Sequence, residues 1–310
     1  MLSLLVGRYP KALFMPPSLL ATDEMAGRIV WGLRLPRVLT AVMLGMSLSA
    51  AGTVFQMLFG NPLVEPGFLG VSQGAAFGAC LGIVFLGGHA ILVQLLAALF
   101  AFLGLGLSCF IAKKARFGGW VLRLVLAGIA ASAIFSAGVG ALKYVADPLR
   151  QLPDMTFWLL GGLSSVTWAQ VRIIAPVVVA AFIVMHAMRW RLNILALDEA
   201  TAFSLGAAPG IERALLLAAA VAATASVVSV TGMVGWVGLI VPHIARRIFG
   251  ADAKASLPAS ALLGGLFTLL CDDIARTAMA GEIPLGILTS FTGAILFIFI
   301  LMSHNVKAER

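Results

Sequence analysis

Charge is scarce in this sequence. Asp, Glu, Lys and Arg make up only 11% of its 310 residues, against about a quarter in a soluble domain, and this excludes a globule solvated by water on all sides. Cysteine is scarce too. Cys80, Cys109 and Cys271 stand singly inside apolar runs, so there is neither a disulfide frame nor a metal-ligating spacing, and all three read as buried, inert thiols. No Gly-Lys dipeptide occurs, which removes the Walker A loop that cradles phosphates. His-Glu-x-x-His and paired Cys-x-x-Cys patterns are also missing, so no metal site is expected. If ATP drives this protein, another chain must bind it.

What is present is apolar. Hydrophobic residues account for 61% of the chain and mean hydropathy is +1.05. A helix needs roughly 20 apolar residues to cross the hydrocarbon core, and largely apolar runs near that length recur at 38–59, 67–87, 90–112, 124–142, 168–188, 214–231, 234–248, 256–275 and 285–303. The expected fold class is therefore all-α, a polytopic transmembrane helical bundle of about nine spans in one domain covering 1–310. The run 234–248 is short and ends at Pro242, Arg246 and Arg247, so it should not cover the whole bilayer. Abundant glycine, 33 residues, suits helices that approach closely where lipid supplies no hydrophobic drive.

Basic residues sort the loops. Lys113, Lys114, Arg116, Arg123, Arg189, Arg191, Arg213, Arg246, Arg247, Lys254, Lys307 and Arg310 fall on one side of the spans. The other side, past the first span, has only Lys143, Arg150, Arg172 and Arg276, with Asp147, Asp154 and Glu282 among them. The first side is cytoplasmic by the positive-inside rule. The net charge of +8 thus reflects loops at a membrane surface rather than nucleic-acid binding. Residues 1–37 then form an outer segment, although they carry Arg8, Lys11, Arg28, Arg34 and Arg37, against the usual bias. The leading MLSLLV is too short to cross a bilayer or to form a signal-peptide core. Either a preceding helix is missing from this chain, or those basic residues have a partner outside, or both.

Three stretches carry more than hydropathy. In 34–78, Arg34 and Arg37 flank Pro36 at the head of the first clear span, where proline suits an early helical turn. Gly45, Ser49 and Gly52 follow on one helix face and predict a helix–helix contact. Asn61, Pro62, Glu65, Pro66 and Gly67 then form a structural turn between two spans. In 191–213, an amphipathic interruption, Asp198 can cap a short helix that Gly206 ends, which predicts two short helices lying on the cytoplasmic surface. Near the end of a later span, Asp272 stands four residues before Arg276, the favourable order for a helical ion pair that orients the arginine. His243 has no second ligand at metal spacing and reads as a packed or interfacial histidine.

The run NPLVEPGFLGVSQGA, followed in order by WLLGGLSSVTW (158–168), LALDEATAFSLGA (195–207), GWVGLIVPHIARRIFG (235–250) and DDIARTAMAGEIPLGILTSFTGAILFIFIL (272–301), resembles the FecCD or BtuC-like permeases of binding-protein-dependent importers for iron–siderophores, haem and vitamin B12. The resemblance covers nearly everything after residue 30 and implies a transport subunit that is not itself an enzyme. Family members have a transmembrane helix ahead of the segment matching 8–37, absent or reduced to MLSLLV here, which accounts for nine spans instead of ten. Two further departures are Asp198, where many members have Gly, and a loop from Arg276 to Pro284 that is one residue short.

The resemblance also assigns roles. Leu195, Ala196, Leu197, Asp198, Glu199, Ala200, Thr201, Ala202, Phe203, Ser204, Leu205 and Gly206 match the element that couples to an ATPase subunit. Arg34, Arg37 and Arg276 match arginines that face carboxylates on a soluble binding protein, where exposed complementary charge fixes register; anchoring of helix ends by snorkelling is the alternative. Trp120, Val121 and Leu122 match a cytoplasmic constriction, and the spans 38–59 and 124–142 are the expected lining of the passage. Implied partners are a second permease copy, two ATP-binding subunits that carry the ATP and Mg, a periplasmic or lipid-anchored binding protein, and membrane lipid. The implied location is the bacterial or archaeal cytoplasmic membrane. Relatives that carry oxyanions such as molybdate keep that substrate class open, and an ion-gradient-driven secondary transporter is the competing mechanism.

Overall fold

The computed structural model describes residues 2–10, 13–279 and 281–302, so Lys11, Lys307, Arg310 and the last residue of the predicted 285–303 span lie outside it. The N-terminal part builds a small cap from α1 (Leu2–Leu5), the antiparallel pair β1 (Val6–Gly7) and β2 (Leu13–Phe14), α2 (Leu19–Thr22) and α3 (Glu24–Arg28). Met15, Ala26 and Val30 form its own apolar core. Asp23 caps α3 by accepting the Met25 amide at 2.9 Å and also receives the Tyr9 hydroxyl.

From α3 the chain continues through a π-helical turn, Ile29–Arg34, into α4 (Leu35–Phe59). Pro36 explains the wide turn. It has no N–H to continue the ladder, and the Leu35 amide reaches back to Val30, the single-turn adjustment by which α-helices absorb an irregularity. Pro36 thus stands at the second position of α4, as its place at the head of the span predicts, and residue 37, the end of the expected outer segment, falls inside an unbroken helical run, Glu24–Phe59, of 36 residues.

Beyond a 3-10 turn at Pro66–Leu69 come α5 (Val71–Phe85), α6 (Ala90–Lys114), α7 (Trp120–Val145), α8 (Gln151–Leu160) and α9 (Trp168–Ala187). The short pair α10 (Arg189–Leu195) and α11 (Glu199–Ser204) leads to α12 (Pro209–Thr231), α13 (Val237–Phe249), α14 (Ala253–Thr277) and α15 (Leu285–Met302). Every predicted span is a helix. Among the described residues six helices, Glu24–Phe59, α6, α7, α9, α12 and α14, are long and apolar enough to cross a membrane, while α5, α13 and α15 are shorter, as expected for 234–248. The chain is a multi-pass membrane protein. Helix α8 was not foreseen, because its sequence is neither apolar nor charged throughout; Gln151 Nε2 ties it to the Val84 carbonyl near the C-terminal end of α5, at 3.0 Å.

Helix α4 forms the centre, wrapped by α9, α12, α13 and α14, and its small-residue face does what its spacing predicts. A methyl group on Gly45 would lie 2.0 Å from the Gly264 carbonyl oxygen of α14, and one on Gly52 would lie 2.0 Å from that of Gly238 in α13. Polar side chains seal the contact: Thr268 Oγ1 donates to Ala41 O at 2.7 Å and Thr53 Oγ1 to Ser260 Oγ at 2.9 Å. This enclosure corrects the expected passage lining. Leu44, Leu48, Val54 and Phe55 of α4 are buried within the chain itself, whereas α7 leaves Leu122, Leu126, Ile129 and Ile134 exposed. Of the two lining spans, only α7 presents a free face. Cys80 and Cys271 are buried as expected, but Cys109 is exposed on α6.

Candidate functional sites at the two membrane faces

The α10–α11 element has the predicted form, and local chemistry explains it. Leu192 and Leu195 are the buried anchors of α10, and Asn193 exchanges hydrogen bonds with the head of α14, donating to Asp252 Oδ1 at 2.7 Å and accepting from the Ala253 amide at 2.9 Å. Asp198 is the N-cap of α11 and accepts the Thr201 amide at 3.0 Å. Hydrogen bonds from Thr201, side chain first and then backbone, hold the Asp198 carboxyl below the usual carboxylate range. A carboxyl lowered on folding contributes its stability above its unfolded pKa and loses it as pH falls through the folded one, so this cap is intact at neutral pH. Gly206 closes the element at φ +78°, a conformation that other residues rarely adopt.

Of the twelve predicted coupling residues, Leu195 and Ala202 are buried and anchor the element, while Ala196, Leu197, Asp198, Glu199, Ala200, Thr201, Phe203, Ser204, Leu205 and Gly206 are exposed. Leu197, Phe203 and Leu205 are 45%, 73% and 56% exposed. Large apolar side chains gathered at the end of a bundle that is otherwise basic mark a contact surface.

The candidate gate residues divide. Trp120 turns inward and packs on Phe59 with ring centroids 5.6 Å apart; Val121 is half-buried, and Leu122 faces outward. The predicted turn is present in full. Asn61 Oδ1 accepts the Leu63 amide at 2.9 Å, Pro66 and Gly67 open the 3-10 turn, and Glu65 meets the Trp236 amide beside a cavity of about 340 Å³. Gly70-Val71-Ser72-Gln73-Gly74 has the Gly-x-Ser-x-Gly pattern of a nucleophile elbow. Here it joins a 3-10 turn to a helix, not a strand to a helix, and no histidine lines the cavity that Ser72 borders. Among the described residues no His, Cys, Asp and Glu group could hold a metal.

The outer arginines are not presented as expected. Arg34 and Arg276 are 7% and 6% exposed, because the N-terminal cap lies over them. Arg34 Nη1 donates to Leu4 O at 3.0 Å, and Arg276 Nη2 donates to Ser3 O and Ser3 Oγ at 2.6 and 2.7 Å. Arg37 is braced by carboxylates on two elements: Asp272 Oδ1 lies 2.8 Å from Nη2, and Glu282 Oε1 lies 2.7 Å from Nη1. The anticipated pairing of Asp272 with Arg276 is the weaker one, at 3.8 Å. The near partner of Arg276 is Asp273, one residue further along the same helix. Arg37 and Glu282 border an outer cavity of about 640 Å³ that Asp154, Ser164 and Gln170 also line. The sequence did not point to Ser3, Asp273 or Glu282 as partners, since each pairing except Asp273–Arg276 joins residues hundreds of positions apart. Arg213 was also missed as more than loop charge, although a cation in the first turns of a helix opposes the helix dipole and is a signal in itself.

With this geometry in place, comparison with known proteins decides the family. The model of the FecCD transport family matches residues 1–303. The chain belongs to that family. Among relatives of this FecCD chain, the molybdate import permease MolB of Haemophilus influenzae is 35% identical, over 96% of this chain and 89% of the relative. The hemin transport permease HmuU of Yersinia pestis is 36% identical, over 92% and 86%. A solved structure described as a metal-chelate type ABC transporter in an inward-facing conformation superposes with a TM-score of 0.89 at 35% identity, covering 97% of this chain and 94% of that one. FecCD membership fits the ordered motif blocks, the six long apolar helices among the described residues and the α10–α11 interruption.

Proposed function

We propose that the chain is the membrane-spanning permease subunit of a binding-protein-dependent ATP-binding cassette importer for a metal chelate of the iron–siderophore, haem or cobalamin type. The observation that carries this reading is the α10–α11 platform, whose exposed Leu197, Phe203 and Leu205 offer an apolar seat on the basic, cytoplasmic end. Two ATP-binding subunits, holding the ATP and Mg, would sit there. A second copy of the chain would complete the passage along the free face of α7, and a periplasmic or lipid-anchored binding protein would deliver substrate from outside. The location would be the cytoplasmic membrane of a bacterium or archaeon. Because Arg34 and Arg276 are covered and Arg37 is largely buried between Asp272 and Glu282, a docking protein would meet the half-exposed Glu282 and the rim of the outer cavity first.

A second substrate class, an oxyanion, is favoured by one observation: MolB, named for molybdate, is as similar to this chain as the hemin permease. An ion-gradient mechanism has less support. It calls for ionisable groups near the midplane on broken helices, whereas Asp272 and Asp273 are tied to arginines at a helix end.

The seat is tested by co-purification. Phe203→Asp, which places a charge on the platform and touches no buried anchor, should abolish retention of the cognate ATP-binding subunit while elution and thermal stability of the permease stay unchanged. Retention at the wild-type level would move the seat elsewhere.

A further inference from the structure

Arg213 stands in the first turns of α12, where a cation opposes the helix dipole, and yet it is only 7% exposed. Its guanidinium touches three other elements at once. Cζ lies 4.4 Å from the ring centroid of Trp120, the first residue of α7. Nη2 donates at 3.1 Å to the carbonyl of Leu195, the last residue of α10. Nη1 lies 4.0 Å from the carboxylate of Glu199, the first residue of α11. Trp120 in turn rests on Phe59, at the end of α4.

We propose that Arg213 is the joint that passes movement of the α10–α11 platform to the cytoplasmic end of α7. The proposal rests on the reading of that platform as the ATPase seat. Each contact suits the task. The Leu195 carbonyl belongs to the last turn of α10, where acceptors lack helical partners. A guanidinium stacked on an indole gains strength when shielded from water. Only a planar, forked cation can hold a ring face and point donors at two further elements together; an ammonium cannot. Coupling then runs through a contiguous set of side chains, from the α10–α11 turn to Arg213, to Trp120 and into the helix whose free face borders the passage. Arg213 is a positioning residue and touches no substrate.

The test uses the full chain, its cognate ATP-binding subunit and its binding protein in proteoliposomes, with ferric hydroxamate, hemin, cobalamin and molybdate supplied in turn as labelled probes. Uptake and ATP hydrolysis are measured together. Arg213→Gln should keep ATPase association and basal hydrolysis but lower substrate moved per ATP about tenfold, within the range over which contacting residues couple. Trp120→Ala should lower it similarly, and the double variant should be no worse than either single. Trp120→Phe, which keeps an aromatic face, should retain most of the yield, whereas Arg213→Lys should not. Should Arg213→Gln fail to fold, the contrast between Trp120→Ala and Trp120→Phe carries the same test. Wild-type yield in Arg213→Gln, or losses that multiply in the double variant, would overturn the joint. Wild-type protein without ATP-driven uptake of any probe would instead overturn the importer reading.

Discussion

Gly45→Leu should prevent the bundle from assembling. The first atom of the new side chain would lie 2.0 Å from the Gly264 carbonyl oxygen and 2.3 Å from Thr268 Oγ1, and the first of these is helix backbone, which cannot rotate away. Overpacking a core costs about 1–3 kcal/mol when side chains can yield, and more when they cannot. In lipid the loss is not offset by a hydrophobic drive to bring the helices together, because packing itself holds them. The folded-to-unfolded ratio of the variant should fall at least about tenfold, the factor that corresponds to roughly 1.4 kcal/mol, and the protein should emerge from mild detergent as aggregate. Gly106→Ala is the control, since its new methyl would meet nothing within 4 Å. A monodisperse Gly45→Leu protein with unchanged melting would refute the close crossing of α4 and α14.

Asp272→Ala should be nearly as damaging. Asp272 has no exposed side-chain surface and lies 2.8 Å from Arg37, so its removal leaves a largely buried guanidinium with only the half-exposed Glu282, whose side chain is 43% exposed. Breaking a buried pair by deleting one partner costs about 3–5 kcal/mol. A fall in thermal stability of that order is expected in detergent, and a loss below about 1 kcal/mol, the worth of an exposed pair, would show that the pair is solvated. Arg37→Glu should be at least as harmful, since it gathers three carboxylates at one point. Loss of binding-protein capture in that variant therefore measures docking only if melting is unchanged.

The bundle was legible because hydropathy and small-residue spacing are local properties. The nine runs became helices, and Gly45 and Gly52 met their partners because a helix face can be read from the spacing of residues along one segment. The α10–α11 turn was legible for the same reason: Asp198 and Gly206 act within a few residues of where they stand. Long-range placement was not. Whether an arginine is free or buried depends on what crosses it, and Arg34 and Arg276 are covered by residues 3–7, about 30 and 270 positions away in sequence. Asp272 and Asp273 are both within reach of Arg276 at helical spacing. The choice between them was made by Arg37, which arrives from α4 and takes Asp272.

ATP-driven uptake in proteoliposomes containing this chain, its cognate ATP-binding subunit and its binding protein tests the central claim most directly. Labelled metal chelate should accumulate only when ATP reaches the ATP-binding subunits, and ionophores that collapse proton and sodium gradients should leave the rate unchanged. Accumulation driven by an imposed ion gradient, with this chain alone in the membrane and no ATP present, would contradict it.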